Sequence, residues 1–236
     1  MLFQLRLLAV LGSLVALVSC STPATTNRQN TSRVFSTVVI DAGHGGKDSG
    51  AVRRYGPFEK TATLDVAQRL NRKLRESQFR TVMTRTSDVF VPLDTRVATG
   101  NRQKNSIFVS VHFNDSRRRG IRGSEIYYAS PHARNLAIRI QNKLMKIPGA
   151  SNRGVHTAGF RVLRNVVYPS VLIECGFLSN RGDGGRAGSS QYRELLAERI
   201  AEAIVEERYG PGVYDAPPRP AAPPPESTAS PAPPWQ

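Results

Sequence analysis

The sequence is short of cysteine. Its 236 residues include two, Cys20 and Cys175. If Cys20 is modified, Cys175 is left alone and no internal disulfide can form. The folded part must then rely on its hydrophobic core, and on a bound metal if it has one.

Negative charge is also scarce. The chain has 18 acidic residues against 33 Lys and Arg, which gives a formal net charge of +15. Such a charge suits nucleic acid, anionic lipid or a cell wall that carries free carboxylates. The basic run Arg117 to Arg119, with Arg122, has no interleaved aromatic residues and matches no known binding module. We therefore expect no nucleic-acid partner.

Apolar runs of membrane-spanning length are absent as well. The stretch from Leu7 to Val18 follows Arg6 and is too short for a span, so residues 1–19 are predicted to be a secretory signal. Its end, Leu17-Val18-Ser19-Cys20, resembles the lipobox of bacterial lipoproteins. This resemblance implies export and a lipidated Cys20. Ser21 resembles the outer-membrane sorting pattern, so we expect a periplasm-facing outer-membrane lipoprotein. The alternative is an ordinary cysteine beside a conventional cleavage site.

Two further segments differ in composition from the rest of the chain. Residues 20–35 are mostly polar and are predicted to form a flexible tether. Residues 211–236 contain ten prolines and are predicted to be a disordered tail. A single folded domain is left at residues 36–210.

Within that domain, predicted strands alternate with predicted helices. Val38 to Ile40 is a continuous β-branched run, which is typical of a strand covered on both faces. The alternation predicts an α/β fold: a single domain with a mainly parallel twisted sheet and helices on both faces. The predicted strands are Thr37–Ile40, Phe79–Thr84, Ile107–His112, Glu125–Ala129, Phe160–Val162 and Val171–Ile173, and the predicted helices are Glu59–Glu76, Leu93–Arg102, Pro131–Lys146 and Gln191–Tyr209.

Polar residues with metal chemistry lie at or just beyond three of these strand ends. His44 follows the first strand, His112 ends the third, and Glu174 follows the last. Such ends meet at one edge of a parallel sheet. Glu59 lies in the first helical turn, seven residues before Val66 and on the same, inward face. His44, Glu59 and His112 make the two-histidine, one-carboxylate set of catalytic zinc sites, although their spacing matches no short metal motif.

The site residues belong to an ordered motif series. It resembles that of the zinc-dependent N-acetylmuramoyl-L-alanine amidases from about Ser36 to Arg208. The motifs are Asp41-Ala42-Gly43-His44-Gly45-Gly46, Phe58-Glu59-Lys60, Ser110-Val111-His112-Phe113-Asn114, Gly159-Phe160-Arg161-Val162-Leu163-Arg164-Asn165 and Ile173-Glu174-Cys175-Gly176-Phe177-Leu178-Ser179-Asn180.

The resemblance implies a cofactor, Zn²⁺, held by His44, Glu59 and His112. It also implies that Glu174 is the catalytic carboxylate. The substrate would be peptidoglycan, cut between N-acetylmuramic acid and the L-alanine of the stem peptide by zinc-activated water. Two alternatives stay open: a catalytically silent peptidoglycan-binding lipoprotein, and a zinc peptidase that acts within stem peptides.

Other polar residues receive weaker interpretations. Asp41 and Asn114 are candidates either to orient the histidines or only to shape loops. His132 and His156 are predicted to face solvent, and Cys175 to be a buried small side chain. Some amidases of this family carry a long insertion after the second histidine, with a helix that blocks the zinc. The short basic stretch here leaves no room for it, so no obligatory activator is expected.

Overall fold

The computed structural model describes residues 28–52 and 55–214. The predicted signal, the first half of the predicted tether including Cys20, and all but the start of the proline-rich tail lie outside the described residues. The second half of the tether, residues 28–35, is described, and Thr31 and Phe35 are buried in the domain. The described chain forms one mixed α/β domain, as predicted. None of its helices is both long and apolar enough to cross a bilayer.

The domain is built on a six-stranded sheet with the order β2-β1-β3-β6-β4-β5. Neighbouring strands are parallel except for β4 and β6, which are antiparallel. The mainly parallel prediction is confirmed. The strands are β1 (Thr37–Ala42), β2 (Arg80–Met83), β3 (Ser106–Asn114), β4 (Ser124–Tyr128), β5 (Asn152–Thr157) and β6 (Ser170–Phe177).

Helices cover both faces of the sheet. α1, α3 and α6 pack together on one face, and α2 and α4 pack together on the other. A larger and a smaller apolar cluster lie beneath these two layers. The helices are α1 (Glu59–Glu76), α2 (Leu93–Asn101), α3 (Arg134–Leu144), α4 (Arg161–Asn165), α5 (Arg181–Gly188) and α6 (Ser190–Tyr209).

The central strands and α1 follow directly from their apolar patterns. Every residue of β1 is buried, since helices cover it on both sides. In α1, the predicted stripe that includes Val66, Leu70 and Leu74 is buried against the sheet. Glu59, two turns before Val66, shares this inward face and is also buried. The helix therefore carries a carboxylate into the interior at its first turn.

The prediction of a strand at Phe160–Val162 is wrong. The N–H groups of Leu163 and Arg164 donate to the carbonyl of Phe160, which begins the short helix α4. Phe160 is exposed while Val162 and Leu163 are buried, which is a helical and not an alternating pattern. The segment has three residues, of which two are apolar, and this is too few to distinguish a helix from a strand by composition.

The sixth strand is β5, which the sequence did not reveal. It is an edge strand that pairs only with β4 among the described strands, and none of its six residues is buried. Its sequence therefore lacks an apolar pattern.

Helix α5 was also unexpected, because it contains four glycines. The Asn180 side chain caps it by accepting from the N–H groups of Gly182 and Asp183. The Asp183 carboxylate then accepts from the N–H groups of Gly123 and Phe177.

Candidate metal centre

The turn after β1 brings His44 over the edge of the sheet. His44 itself has φ near +60°, a strained conformation for a residue other than glycine. Just before it, a Cβ atom on Gly43 would lie 2.3 Å from the His112 ring. Glycine is therefore required at position 43, because the His112 imidazole packs directly on its backbone.

Backbone hydrogen bonds fix the Glu59 carboxylate. Phe113 N–H donates to Oε1 at 3.0 Å, and Ala51 N–H donates to Oε2 at 2.9 Å. These bonds join the start of α1 to the end of β3 and to the loop after β1. Glu59 is thus held in one orientation by the same segments that carry the two histidines.

The three predicted ligands converge on one point. Glu59 Oε1 lies 3.0 Å from His44 Nε2 and 3.0 Å from His112 Nδ1. One potential ligand atom from each residue lies within 4.8 Å of the other two. The imidazole rings meet edge to face with their centroids 4.9 Å apart. The sequence prediction that these distant residues meet is confirmed, while their role as ligands is argued below.

The charges of the three residues are strongly coupled. Burial alone would raise the pKa of Glu59, but hydrogen bonds from His112 and His44 hold that pKa well below its usual range. Burial would likewise lower the pKa of His112, but the Glu59 carboxylate raises it to about 9. The pKa of His44 is raised for the same reason. This pocket favours positive charge beside Glu59.

Glu174 stands next to this group on the sheet. It is paired with His112 across β3 and β6 and with Glu125 across β6 and β4. The three side chains therefore form a row on one face. Burial raises the pKa of Glu174 to about 7, and the Glu59 and Glu125 carboxylates add to this against the opposing effect of His112. Its Oε2 is buried and has no hydrogen-bond partner among the described residues.

Glu125 anchors a polar network behind Glu174 that the sequence did not indicate. Asn114 Nδ2 donates to Glu125 Oε1 at 2.7 Å, and Arg153 Nε donates to Oε2 at 2.9 Å. Asn114 therefore supports this network, because its amide group bonds to Glu125 and to the N–H of Asp115 and not to a histidine ring among the described residues. The only sequence signal was a carboxylate at an inward position of a predicted strand.

Asp41 also plays a structural part and does not orient a histidine. Burial alone would raise its pKa, but the Arg96 guanidinium, 2.7 Å away, and bonds from Ser110 and Thr84 keep that pKa low. Arg96 also donates to the His44 carbonyl. The loop-shaping interpretation of Asp41 is confirmed.

The residue beside the outer nitrogen of His44 is Asp48. Its Oδ2 lies 2.9 Å from His44 Nδ1, on the side of the ring opposite Glu59. A negative charge this close makes the ring a stronger donor to a cation. Asp48 was not among the candidates from the sequence, since its position in a turn gave no sign of it.

A cleft of about 610 Å³ opens above these residues. Its walls include Phe90, Leu93 and Phe160, while the polar group forms its floor. Arg161 pairs with Asp94 through two bonds at 2.6 and 2.8 Å across the cleft wall. The cleft can therefore hold an extended substrate with its scissile bond over the floor.

The remaining candidates lie outside the cleft. Cys175 is buried and points to the opposite side of β6 from Glu174. His156 is exposed on β5, as predicted, and His132 is partly exposed. Residues 115–123 connect β3 to β4 without a helix.

The donor set fits a zinc ion. Two imidazole nitrogens surround one carboxylate oxygen, the inventory of a catalytic zinc site. Two of the three ligands have support from behind: two backbone N–H groups bond to Glu59, and the Asp48 carboxylate lies beside His44 Nδ1. The unpartnered oxygen of Glu174 lies beside this set. A cation among the three ligands would relieve the close approach of both imidazoles to one oxygen.

Comparison with known proteins identifies one family. A family model described as N-acetylmuramoyl-L-alanine amidase matches residues 38–206. Among curated proteins, LytC of Bacillus subtilis, an N-acetylmuramoyl-L-alanine amidase, is 36% identical over 176 residues, 73% of this chain and 35% of LytC. The uncharacterised protein YqiI of the same organism is 39% identical over 172 residues, 71% of this chain and 82% of YqiI.

Solved structures agree with the sequence comparison. The amidase AmiC2 of Nostoc punctiforme superposes with a TM-score of 0.70 and 38% identity, over 72% of this chain and 95% of AmiC2. The match therefore covers an amidase chain almost completely, whereas LytC extends well beyond the shared region.

Proposed function

The chain belongs to the N-acetylmuramoyl-L-alanine amidase family, and we propose that it hydrolyses peptidoglycan at the amide bond between N-acetylmuramic acid and L-alanine, using zinc. The observation that carries this proposal is the convergence of His44, Glu59 and His112 on one point beside Glu174. The family match supports the choice of the amide bond that is hydrolysed. The geometry of the site supports hydrolysis with zinc and Glu174.

The zinc ion would be held by His44, Glu59 and His112. When bound, zinc supplies a Lewis acid for the carbonyl oxygen and lowers the pKa of a coordinated water to about 7. The protein keeps the Glu59 carboxylate in place through the backbone N–H groups of Phe113 and Ala51. Ligands held in this way lose little entropy when the ion binds.

Glu174 is proposed to move the proton. Its Oε2 has no hydrogen-bond partner among the described residues and is free to accept a proton from the attacking water. The same carboxyl can then donate that proton to the leaving L-alanine nitrogen. Since burial holds its pKa at about 7, proton gain and loss both cost little near neutral pH.

The cleft walls are proposed to position the substrate. Phe90, Leu93 and Phe160 offer apolar surface to the glycan and the stem peptide, and the polar floor faces the amide. Exposed aromatic side chains at the rim are suited to stacking on sugar rings.

Product analysis tests the reaction class. Purified peptidoglycan is digested, and the soluble products are identified by mass spectrometry. Intact stem peptides that begin with L-alanine, together with peptide-free glycan, support the amidase. Shortened peptides would instead establish a zinc peptidase, and an absence of products would establish a silent binding protein.

We propose that the protein is exported and anchored through Cys20. In this proposal residues 1–19 are the signal, the tether runs from Cys20 to the point where Thr31 and Phe35 are buried in the domain, the catalytic domain extends to residue 210, residues 211–236 are the tail, and the anchor lies in the outer membrane. Its support is the lipobox-like Leu17-Val18-Ser19-Cys20 together with the cell-wall substrate of the family. Cys20→Ser should release the protein from the membrane fraction of cells, and unchanged association would contradict the anchor.

A further inference from the structure

A basic surface lies at the end of the sheet opposite the cleft. The amino ends of β1, β2, β3 and β6 lie side by side, and the helix C-termini surround them. We call this surface the amino-end face, made of residues 30–36, 75–80, 102–106, 163–168 and 208–210. From Ser106 to His112, six residue steps along β3 at about 3.3 Å each, it lies about 20 Å from the floor of the cleft.

Backbone hydrogen bonds make these segments one continuous surface. Arg80 N–H donates to the Ser36 carbonyl, and Ser36 N–H donates to the Asn105 carbonyl. At the far end of the chain, Arg208 Nε donates to the carbonyl of Phe35 at 2.9 Å. These bonds hold the segments that carry Arg33, Arg80, Lys104 and Arg208 side by side at this end of the sheet.

The charge of the amino-end face is almost entirely positive. Its segments contain one carboxylate, Glu76, against seven basic residues. Among the described residues, none of the seven has a carboxylate partner. Basic residues of the α1, α3 and α6 layer, such as Lys73 and Lys143, are in contrast paired with glutamates. The seven basic residues are Arg33, Arg75, Arg80, Arg102, Lys104, Arg164 and Arg208.

Helix dipoles do not account for the whole set. Arg75, Arg102, Arg164 and Arg208 lie at helix C-termini, where cations are favoured in any protein. Arg33, Arg80 and Lys104 lie outside helices and are exposed. Among them stands Val34, whose side chain is 61% exposed. Unpaired cations around an exposed apolar side chain are suited to a membrane surface with anionic lipids.

The chain also enters the domain at this face. Gln29 N–H donates to the Val167 carbonyl, and Thr31 Oγ1 to the Ser106 carbonyl. The eight residue steps from Cys20 to Arg28 span at most about 28 Å. A lipid on Cys20 would therefore keep the amino-end face within reach of the bilayer.

We propose that the amino-end face docks on the anionic phospholipid surface of the membrane, so that the cleft opens away from the bilayer toward the cell wall. This inference adds an orientation to the proposed lipid anchor. The docking is tested on protein that carries no lipid. A failure of the docking proposal therefore does not decide the lipid-anchor proposal, and the reverse also holds.

The test is co-sedimentation with vesicles. The chain from residue 20 onward, which keeps every described residue, carries Cys20→Ser. It should bind vesicles made of equal amounts of phosphatidylglycerol and phosphatidylcholine, and this binding should weaken at high salt. It should not bind vesicles of phosphatidylcholine alone. At about 1 kcal/mol per basic residue, Arg33→Gln, Arg80→Gln and Lys104→Gln together should weaken partitioning about 100-fold.

A matched control removes the same charge at the other end of the molecule. Arg117→Gln, Arg118→Gln and Arg119→Gln change three exposed arginines in the loop after β3 and should leave partitioning near that of the parent. If both triple variants lost vesicle binding equally, the binding would depend on net charge alone and not on the amino-end face. This result would overturn the proposal. Tighter binding to isolated cell wall than to vesicles, lost through the first triple, would also overturn it.

Orientation is read from a polarity-sensitive fluorophore. Val34→Cys and Val89→Cys place one exposed thiol at each end, since Cys175 is buried and does not react. Vesicles should shift the emission to the blue at position 34 and leave it unchanged at position 89. The reverse pattern would contradict the orientation. Activity on soluble muropeptides should be unaffected by the first triple, which separates this result from a failure of the amidase proposal.

Discussion

His112 and Glu174 occupy paired positions on the neighbouring parallel strands β3 and β6, so their side chains project from the same face of the sheet. Strands in a ladder lie about 4.8 Å apart, and this spacing places the proposed proton carrier beside a proposed zinc ligand. The relationship is built into strand pairing and does not depend on a flexible loop.

Glu174→Gln keeps the shape of the side chain and removes its basicity. Activity on peptidoglycan should fall by about 10²- to 10⁴-fold, the usual contribution of a general acid or base. Zinc content should stay at one per chain, measured by atomic emission. An active Glu174→Gln protein would remove its assigned role.

His112→Ala removes one nitrogen of the proposed centre. The protein should lose its zinc on dialysis against buffer and lose activity with it. His156→Ala is the matched control for zinc content, because His156 is exposed on β5, which β6 and β4 separate from His112 on β3. Retention of tightly bound zinc in His112→Ala would contradict the ligand set.

Zinc binding should release protons. Without the ion, the pKa of His112 is about 9, so this ring is protonated at neutral pH and must lose its proton to bind zinc. Apparent affinity should therefore fall at least about tenfold for each pH unit lowered between pH 8 and 6. Calorimetry in buffers of different ionisation enthalpy measures the number of protons released, and a count of zero would contradict a protonated His112 in the zinc-free protein.

Arg96→Met leaves the Asp41 carboxylate buried without its cation. The free energy of unfolding should fall by about 3–5 kcal/mol, the usual cost of breaking a buried pair. Asp41 has a lowered folded pKa in the wild type, so its contribution is present above the unfolded pKa and is lost as pH falls. The difference in the free energy of unfolding between the wild type and Arg96→Met should therefore become smaller below about pH 4. Urea denaturation at a series of pH values measures this difference. A constant gap would contradict this assignment.

Purified protein should be active with zinc alone. Residues 115–123 contain no helix that could cover the centre, and the cleft is open above it. A peptidoglycan release assay with no added protein measures this. Inactivity that is relieved only by an added protein would contradict the expectation of no activator.

Most of the fold could be predicted because its central elements carry their own patterns. The α1 boundaries follow from the repeat of Val66, Leu70 and Leu74, and β1 and β6 follow from continuous apolar runs. The edge strand β5 and the glycine-rich α5 could not be predicted, since β5 buries no side chain and α5 depends on its Asn180 cap. Phe160–Val162 was misassigned because three residues do not reveal a period.

The site was predictable where it depends on strand ends. His44 follows β1, while His112 and Glu174 lie near the carboxyl ends of β3 and β6, and these ends meet because the three strands are parallel. Glu125 could not be found in this way, because its place beside Glu174 depends on the antiparallel pairing of β4 with β6. Asp48 was missed because the path of the turn after His44 is set by tertiary contacts.

Zinc K-edge X-ray absorption on the purified protein tests the central claim most directly. We predict two imidazole nitrogens at about 2.0–2.1 Å and carboxylate oxygen in the first shell, with no sulphur. One imidazole should be missing in any zinc that His112→Ala retains. A shell with a sulphur ligand, or one unchanged by His112→Ala, would contradict the account.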